Sequence, residues 1–348
     1  MTAPLPDTPP VGAPSAAGRP ATAPLSPDQT EVPLPPRHVA RPYDPPLFPA
    51  QPLHFDTPDG ARIEAYRYAP AADAAVTLNA AVPPRYPVLM LHGNGEEHGI
   101  FGALITAVVA CGREVVAVDS RAQGRSTRGT APLAYELMTE DAVRVLDAAG
   151  VARAHVLGFS DGAIEGLLMA RDYPERVASL TAVGANLSPD GLPGNDEFEE
   201  VSRAYAAWAA YLQSAQPEQA TESARSGQPT RATQPTPSGH SAQPGTAAAT
   251  YEDGTPAPTR EQAAWTAELL HLMVVEPHID PHSLVRIACP ACIMSGALDE
   301  IPQTETARIA AAIPGAHKVI VSGAEHTLPK VAPEAVLREL LVTIAAAE

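Results

Sequence analysis

The stretch ARAHVLGFSDGAIEGLLMARDYPERV (152–177) decides how the chain is read. Up to Phe159 it reads as a largely apolar strand. From Asp161 the apolar residues recur at helical spacing, which predicts a helix over 161–177. Only Gly158-Phe159-Ser160-Asp161-Gly162 joins the two. A turn that tight strains the backbone of its apex residue and leaves no room for side chains on either side. Gly158 and Gly162 relieve the crowding, and Ala163 is small just behind. The hydroxyl of Ser160 is then held above the sheet, where the helix starting at Asp161 aims its first amides.

Outward from this turn, strands and helices alternate. HFDTPDGARIEAYRYAP (54–70) predicts two short strands about Asp59-Gly60, and YPVLMLH (86–92) a doubly buried strand. A helix is expected at 98–110, a strand at 113–120 and a helix at 135–150 that closes on Gly150. Beyond the turn come strands at 178–185, 289–296 and 317–323, with helices at 305–313 and 331–347. Such alternation predicts an α/β fold with a mostly parallel central sheet covered by helices on both faces.

The segment between strands 178–185 and 289–296 differs. Asp196 with Glu199 predicts a helix start, followed by an apolar face of Phe198, Val201, Tyr205, Trp208 and Leu212. Thr259 with Gln262 repeats the capping arrangement before a second face of Trp265, Leu269, Leu272 and Met273. These two helices bracket a low-complexity stretch, 214–258, tolerable as an insertion because loop-closure cost grows only logarithmically with length. Residues 1–50 contain fifteen prolines and too little apolar surface to offset ordering, so a disordered tail is expected. The expected organisation is a tail (1–50), a core (51–188), a helical cap (189–284) carrying the disordered insertion, and the rest of the core (285–348).

Composition narrows the partners. With 23 basic and 40 acidic residues among 348, the formal net charge is −17, which argues against nucleic acid or an anionic membrane surface. No run approaches the roughly 20 apolar residues of a membrane span, and the start lacks the pattern of a secretory leader. Cys111, Cys289 and Cys292 cannot make a disulfide framework. A cytoplasmic protein with no nucleic-acid or membrane partner is expected, its oligomeric state left open. Cys289-Pro-Ala-Cys292 enters a buried strand and has no second pair. Pro277 and Pro281 deny His278 and His282 a common helix, and Glu96-Glu97-His98 reads as a polar helix start. No metal site is therefore expected, and no dinucleotide fingerprint follows any strand.

The motifs HGNG (92–95), DSRAQGRS (119–126), GFSDG (158–162), SGALDEIP (295–302) and GAEHTLP (323–329) occur in an order that resembles the α/β-hydrolase superfamily, over about residues 54–348. The resemblance implies the α/β-hydrolase fold, no cofactor, and a catalytic triad of Ser160, Asp299 and His326. It also implies an oxyanion hole from the backbone amides of Asn94 and Asp161. Glu300, adjoining Asp299, and Asp190, where some relatives carry the acid, are alternatives to Asp299. Ala122 departs from the glycine many relatives have, with local backbone strain the expected consequence. The cap faces carrying Tyr205, Trp208, Trp265 and Met273 are expected either to line a substrate pocket or simply to pack the cap on the core. The implied activity is hydrolysis of a small-molecule substrate, a small to medium carboxylic ester, through an acyl-enzyme. Carbon–carbon hydrolysis of diketone-like compounds and a triad-retaining binding protein are the alternatives.

Overall fold

Eight strands form one sheet in the computed structural model, which describes residues 34–36, 43–70, 85–214 and 249–348. β1 (Gln51–Asp56) and β2 (Arg62–Tyr68) make the expected hairpin about Asp59-Gly60. They are followed by β3 (Val88–Leu91), β4 (Val115–Asp119), β5 (Ala154–Phe159), β6 (Val177–Val183), β7 (Ala291–Gly296) and β8 (His317–Val321). The spatial order is β1-β2-β4-β3-β5-β6-β7-β8. β2 runs antiparallel to both neighbours, and every pairing from β4 to β8 is parallel.

Strands β3 to β7 are buried at every position, as apolar runs covered on both faces must be, whereas β1 and β8 at the edges are partly exposed. Side chains alternate between two apolar layers. Leu89 and Leu91 join the layer under α2 (Tyr135–Ala148), α3 (Asp161–Asp172) and α6 (Gln303–Ala312). Val88 and Met90 join the layer under α1 (Gly102–Ala110) and α8 (Pro333–Ala345). Helix ends follow proline. α3 stops at Asp172, short of the expected 177, because Pro174 cannot continue it. The expected terminal helix is α8, separated from the short preceding α7 (Leu328–Val331) because the residue before Pro333 avoids the helical region.

The segment expected to form a cap contains α4 (Asn195–Ser214) and α5 (Arg260–Val275). Thr259 caps α5 as expected, its Oγ1 accepting from the Gln262 amide at 3.2 Å while Gln262 Oε1 accepts from the Thr259 amide at 2.9 Å. Asp196 is not the cap of α4. The helix already begins at Asn195, and Asp196 lies in its first turn, where its charge faces the positive end of the helix dipole. Tyr205, Trp208, Ala209, Ala263 and Ala267 form the contact between the two helices.

Segments expected to be featureless contribute to these layers where they are described. Tyr43 and Phe48 pack against the α1/α8 layer, and the Leu47 amide donates to Thr106 Oγ1 at 3.0 Å. Leu34, Ala249 and Ala257 pack against the cap contact, and Thr250 bridges to Pro256. The rest of the expected tail and insertion lies outside the described residues. No described helix is long and apolar enough to cross a membrane.

Candidate active site

At the end of β5 the chain turns directly into α3, and Ser160 takes φ 53° and ψ −116°. A non-glycine residue held there costs about 1–3 kcal/mol. The surroundings impose it: the Ser160 amide donates to Val183 O at 2.8 Å and the Gly162 amide to His92 O at 3.0 Å. A Cβ on Gly158 would lie 2.1 Å from the Gly162 carbonyl oxygen, and one on Gly162 would lie 2.1 Å from that of Leu91. Gly162 is therefore required by close packing of the elbow against β3, and Gly158 by the start of α3 lying directly over it.

The loops after β7 and β8 bring the other two groups to Ser160. His326 Nε2 stands 3.0 Å from Ser160 Oγ, and its Nδ1 stands 2.7 Å from Asp299 Oδ1. Asp299 is itself fixed, with Oδ1 accepting from the Ile301 amide at 2.9 Å and Oδ2 from the Gly296 amide at 3.3 Å. Asp299 is thus the carboxylate in contact with the imidazole. Glu300 is exposed at the cavity rim, and Asp190 is exposed in the turn Pro189–Gly191. Burial depresses the His326 pKa, but the hydrogen bond and charge of Asp299, aided by Glu300 and Asp161, outweigh it and leave the pKa raised.

Gly184 (φ 68°) backs the imidazole, and a Cβ there would come within 2.8 Å of His326 Cε1. Gly184→Ala is expected to displace the ring and lower kcat by at least about tenfold, since small misplacements of a reacting group weigh heavily. Steady-state kinetics on the folded variant measure the loss.

The HGNG loop is held by His92, which is fully buried. Its Nδ1 donates to Gly93 O at 2.8 Å, and its Nε2 accepts from the Ser120 amide at 2.9 Å. Burial lowers its pKa, consistent with that neutral tautomer. The Gly95 amide is taken by Gln123 Oε1 at 2.6 Å. The amides of Asn94 and Asp161 have no acceptor among the described residues. The preceding Ala122 adopts φ 63°, the strain expected where relatives carry glycine.

The side chains of these two residues also meet. Asn94 Nδ2 donates to Asp161 Oδ2 and to Leu269 O of α5, each at 2.9 Å, so it links the elbow to the cap. Tyr135 Oη donates to Asp161 Oδ1 at 2.8 Å. Asp161 is 2% exposed. Burial pushes its pKa up to about 6 against the pull of Asn94 and Tyr135.

Above Ser160 lies a cavity of about 700 Å³ between core and cap. Leu192, Phe198, Val201, Leu269, Met273 and Ile301 supply apolar wall. Met273 is where it was expected; Trp208 and Trp265 are not among the lining residues. Trp208 is 2% exposed, packed between α4 and α5, and its Nε1 donates to Pro258 O at 2.9 Å. Helical spacing identified its apolar face but not which neighbour that face meets. Glu276, Asn186 and Leu192 line the cavity from irregular segments that carry no periodicity. Carboxyl groups of Glu96, Asp161, Glu197, Glu276 and Glu300 line it as well, with His326 the only basic lining side chain among the described residues.

Comparison with known proteins agrees with this architecture. The chain is 41% identical over 106 residues to "Putative carbamate hydrolase RutD" of Azorhizobium caulinodans, a match covering 30% of this chain and 40% of that relative. It is 35% identical over 105 residues to "Rhodomycin D methylesterase DauP" of Streptomyces sp., covering 29% and 35%. The chain thus spans well under half the length of these curated relatives. Among solved structures, a hydrolase from Pseudomonas aeruginosa superposes with a TM-score of 0.57 at 21% identity, covering 84% of this chain and 97% of the other. A thermophilic esterase from Thermogutta terrifontis gives 0.55 at 19% identity, covering 85% and 99%. At such identities these two structures bear on fold alone. A family model described as the alpha/beta hydrolase fold matches residues 86–333, and the chain belongs to that family.

Proposed function

We propose that the protein is a serine hydrolase that cleaves small to medium carboxylic esters through an acyl-enzyme. One observation carries this reading: Ser160 Oγ, His326 and Asp299 form a continuous chain of contacts at 3.0 and 2.7 Å on the floor of a cavity. In the first half-reaction His326 Nε2 takes the hydroxyl proton as Oγ bonds to the ester carbonyl carbon, and the carbonyl π pair moves onto oxygen. The Asn94 and Asp161 amides donate to that oxygen. As the tetrahedral centre collapses, the C–O bond to the leaving alcohol breaks and the alcohol takes the proton from His326. Water repeats the sequence against the acyl-enzyme and releases the acid. The names of the curated relatives, a carbamate hydrolase and a methylesterase, support carbonyl substrates of this kind.

The experiment is labelling with an active-site fluorophosphonate, alongside turnover of p-nitrophenyl esters of graded chain length. Rapid labelling that is lost in Ser160→Ala is the expected result. A folded wild-type chain that neither labels nor turns over any ester of the panel overturns the proposal in favour of a binding protein.

Two further expectations follow from the site's electrostatics. The base must be neutral, and the His326 pKa lies above its ordinary 6.5. kcat/KM should therefore fall as pH drops through a value above 6.5, when the imidazole becomes protonated. Asp161, at about 6, titrates nearby, so a measured profile reports the coupled groups. The absence of any acidic limb would contradict the assignment. The carboxyl-lined wall also predicts that neutral or amine-bearing esters are taken in preference to esters bearing a carboxylate, by about tenfold or more in kcat/KM at low ionic strength. Matched ester pairs test this.

A further inference from the structure

Cys292 in β7 and His317 in β8 are register partners on adjacent parallel strands, so their side chains leave the sheet on the same face. That face is covered by α8, which contributes Glu339. The Cys292 sulfur, a His317 ring nitrogen and a Glu339 carboxylate oxygen all lie within 4.8 Å of one another.

The His317 contact is not an ordinary hydrogen bond. Its Nε2 is buried without a hydrogen-bond partner, and it stands 3.4 Å from Glu339 Oε2. Two ligands bound at about 2.0–2.2 Å to one tetrahedral cation are themselves separated by about 3.4 Å. The carboxylate is oriented from its far side, where Arg338 Nε donates to Glu339 Oε1 at 2.9 Å and leaves Oε2 facing the histidine. The other such cluster among the described residues, Glu97, His98 and Asp119, holds no cysteine and behaves differently. There His98 Nδ1 donates to Asp119 Oδ1 at 2.7 Å, and Asp119 also accepts the His98 and Arg125 amides. Hydrogen bonding accounts for the His98–Asp119 pair.

We propose that Cys292 Sγ, His317 Nε2 and Glu339 Oε2 form a binding site for a divalent cation that tolerates sulfur, nitrogen and oxygen together, of which Zn²⁺ is the fitting example. Half-exposed His317 provides the route from solvent, and water completes the tetrahedron. Formation of the metal–sulfur bond releases the thiol proton to solvent. Cys292 and His317 sit near the starts of their strands, whereas Asp299 and His326 follow the strand ends. The ion would therefore bind away from the catalytic cavity and clamp α8 onto edge strand β8.

The test uses the full chain, stripped with a chelator and titrated with Co²⁺. One equivalent should bind with tetrahedral d–d absorption and a thiolate-to-cobalt charge-transfer band, and Zn²⁺ should displace it and raise Tm. Cys292→Ser should abolish the charge-transfer band. Because a hydroxyl in that apolar layer can itself disturb folding, His317→Ala at the part-exposed strand start and Glu339→Gln on α8 are the companion variants. Each should weaken Co²⁺ binding by at least about tenfold while the chain remains folded by circular dichroism. Absence of the charge-transfer band at millimolar Co²⁺ overturns the proposal. So does a band that survives in all three variants, which would trace to Cys111 or Cys289.

Discussion

Ser160→Ala is expected to lower kcat by about 10⁶-fold. The substitution removes the proposed nucleophile while leaving the elbow's main-chain contacts in place. In the described residues the hydroxyl has a single partner, His326 Nε2, so stability should change little. Residual turnover of about 10³–10⁴ over the uncatalysed reaction should persist from binding and the oxyanion amides alone. Single-turnover kinetics with a chromogenic ester, on protein freed of wild-type contamination by probe titration, measure the effect. Activity within tenfold of wild type would end the covalent mechanism.

Asp299→Asn carries the second largest effect, about 10⁴-fold in kcat. The carboxylate accepts from the Nδ1–H of His326 at 2.7 Å, which leaves the Nε2 lone pair facing Ser160. An asparagine whose oxygen sits at the Oδ2 position keeps the Gly296 amide but presents its NH₂ to the ring and to the Ile301 amide, so Nδ1 must become the acceptor. The proton then moves to Nε2, and the base loses its lone pair where it is needed. The change of charge also removes the main support for the raised His326 pKa, so the acidic limb should move down in the same variant. A loss of turnover without that movement would indicate displaced structure instead of altered protonation. Unchanged turnover would transfer the role to Glu300 or Asp190.

The elements nearest the chemistry were the most legible in the sequence. β3, β5 and β7 are largely apolar because they are buried on both faces, and the residues at their ends carry the HGNG loop, Ser160 and Asp299. The elbow glycines could be read because a tight strand-to-helix turn admits no alternative. The cavity wall was harder. Trp208 and Met273 both lie on apolar helical faces, yet Trp208 meets α5 and Met273 meets the cavity, since periodicity gives a face and not its neighbour. Glu276 and Leu192 lie just beyond helix ends or in turns, where composition carries no period. Residues 43–50 were hidden by their prolines, although Tyr43 and Phe48 supply the apolar area that holds them down. The Cys292 cluster was invisible for a further reason. Its members are neighbours across strands and a helix, and the nearest cysteine in sequence, Cys289, is not one of them.

The order of strands in the sheet has a consequence for how the protein comes into being. Ser160 is made 166 residues before His326. At about 5–20 residues per second, a ribosome takes roughly 8–33 s to cover that interval. His326 then reaches the serine only once β8 has docked on the far edge, next to β7. A nascent chain therefore carries Ser160 without its imidazole partner until the last parallel strand joins the sheet.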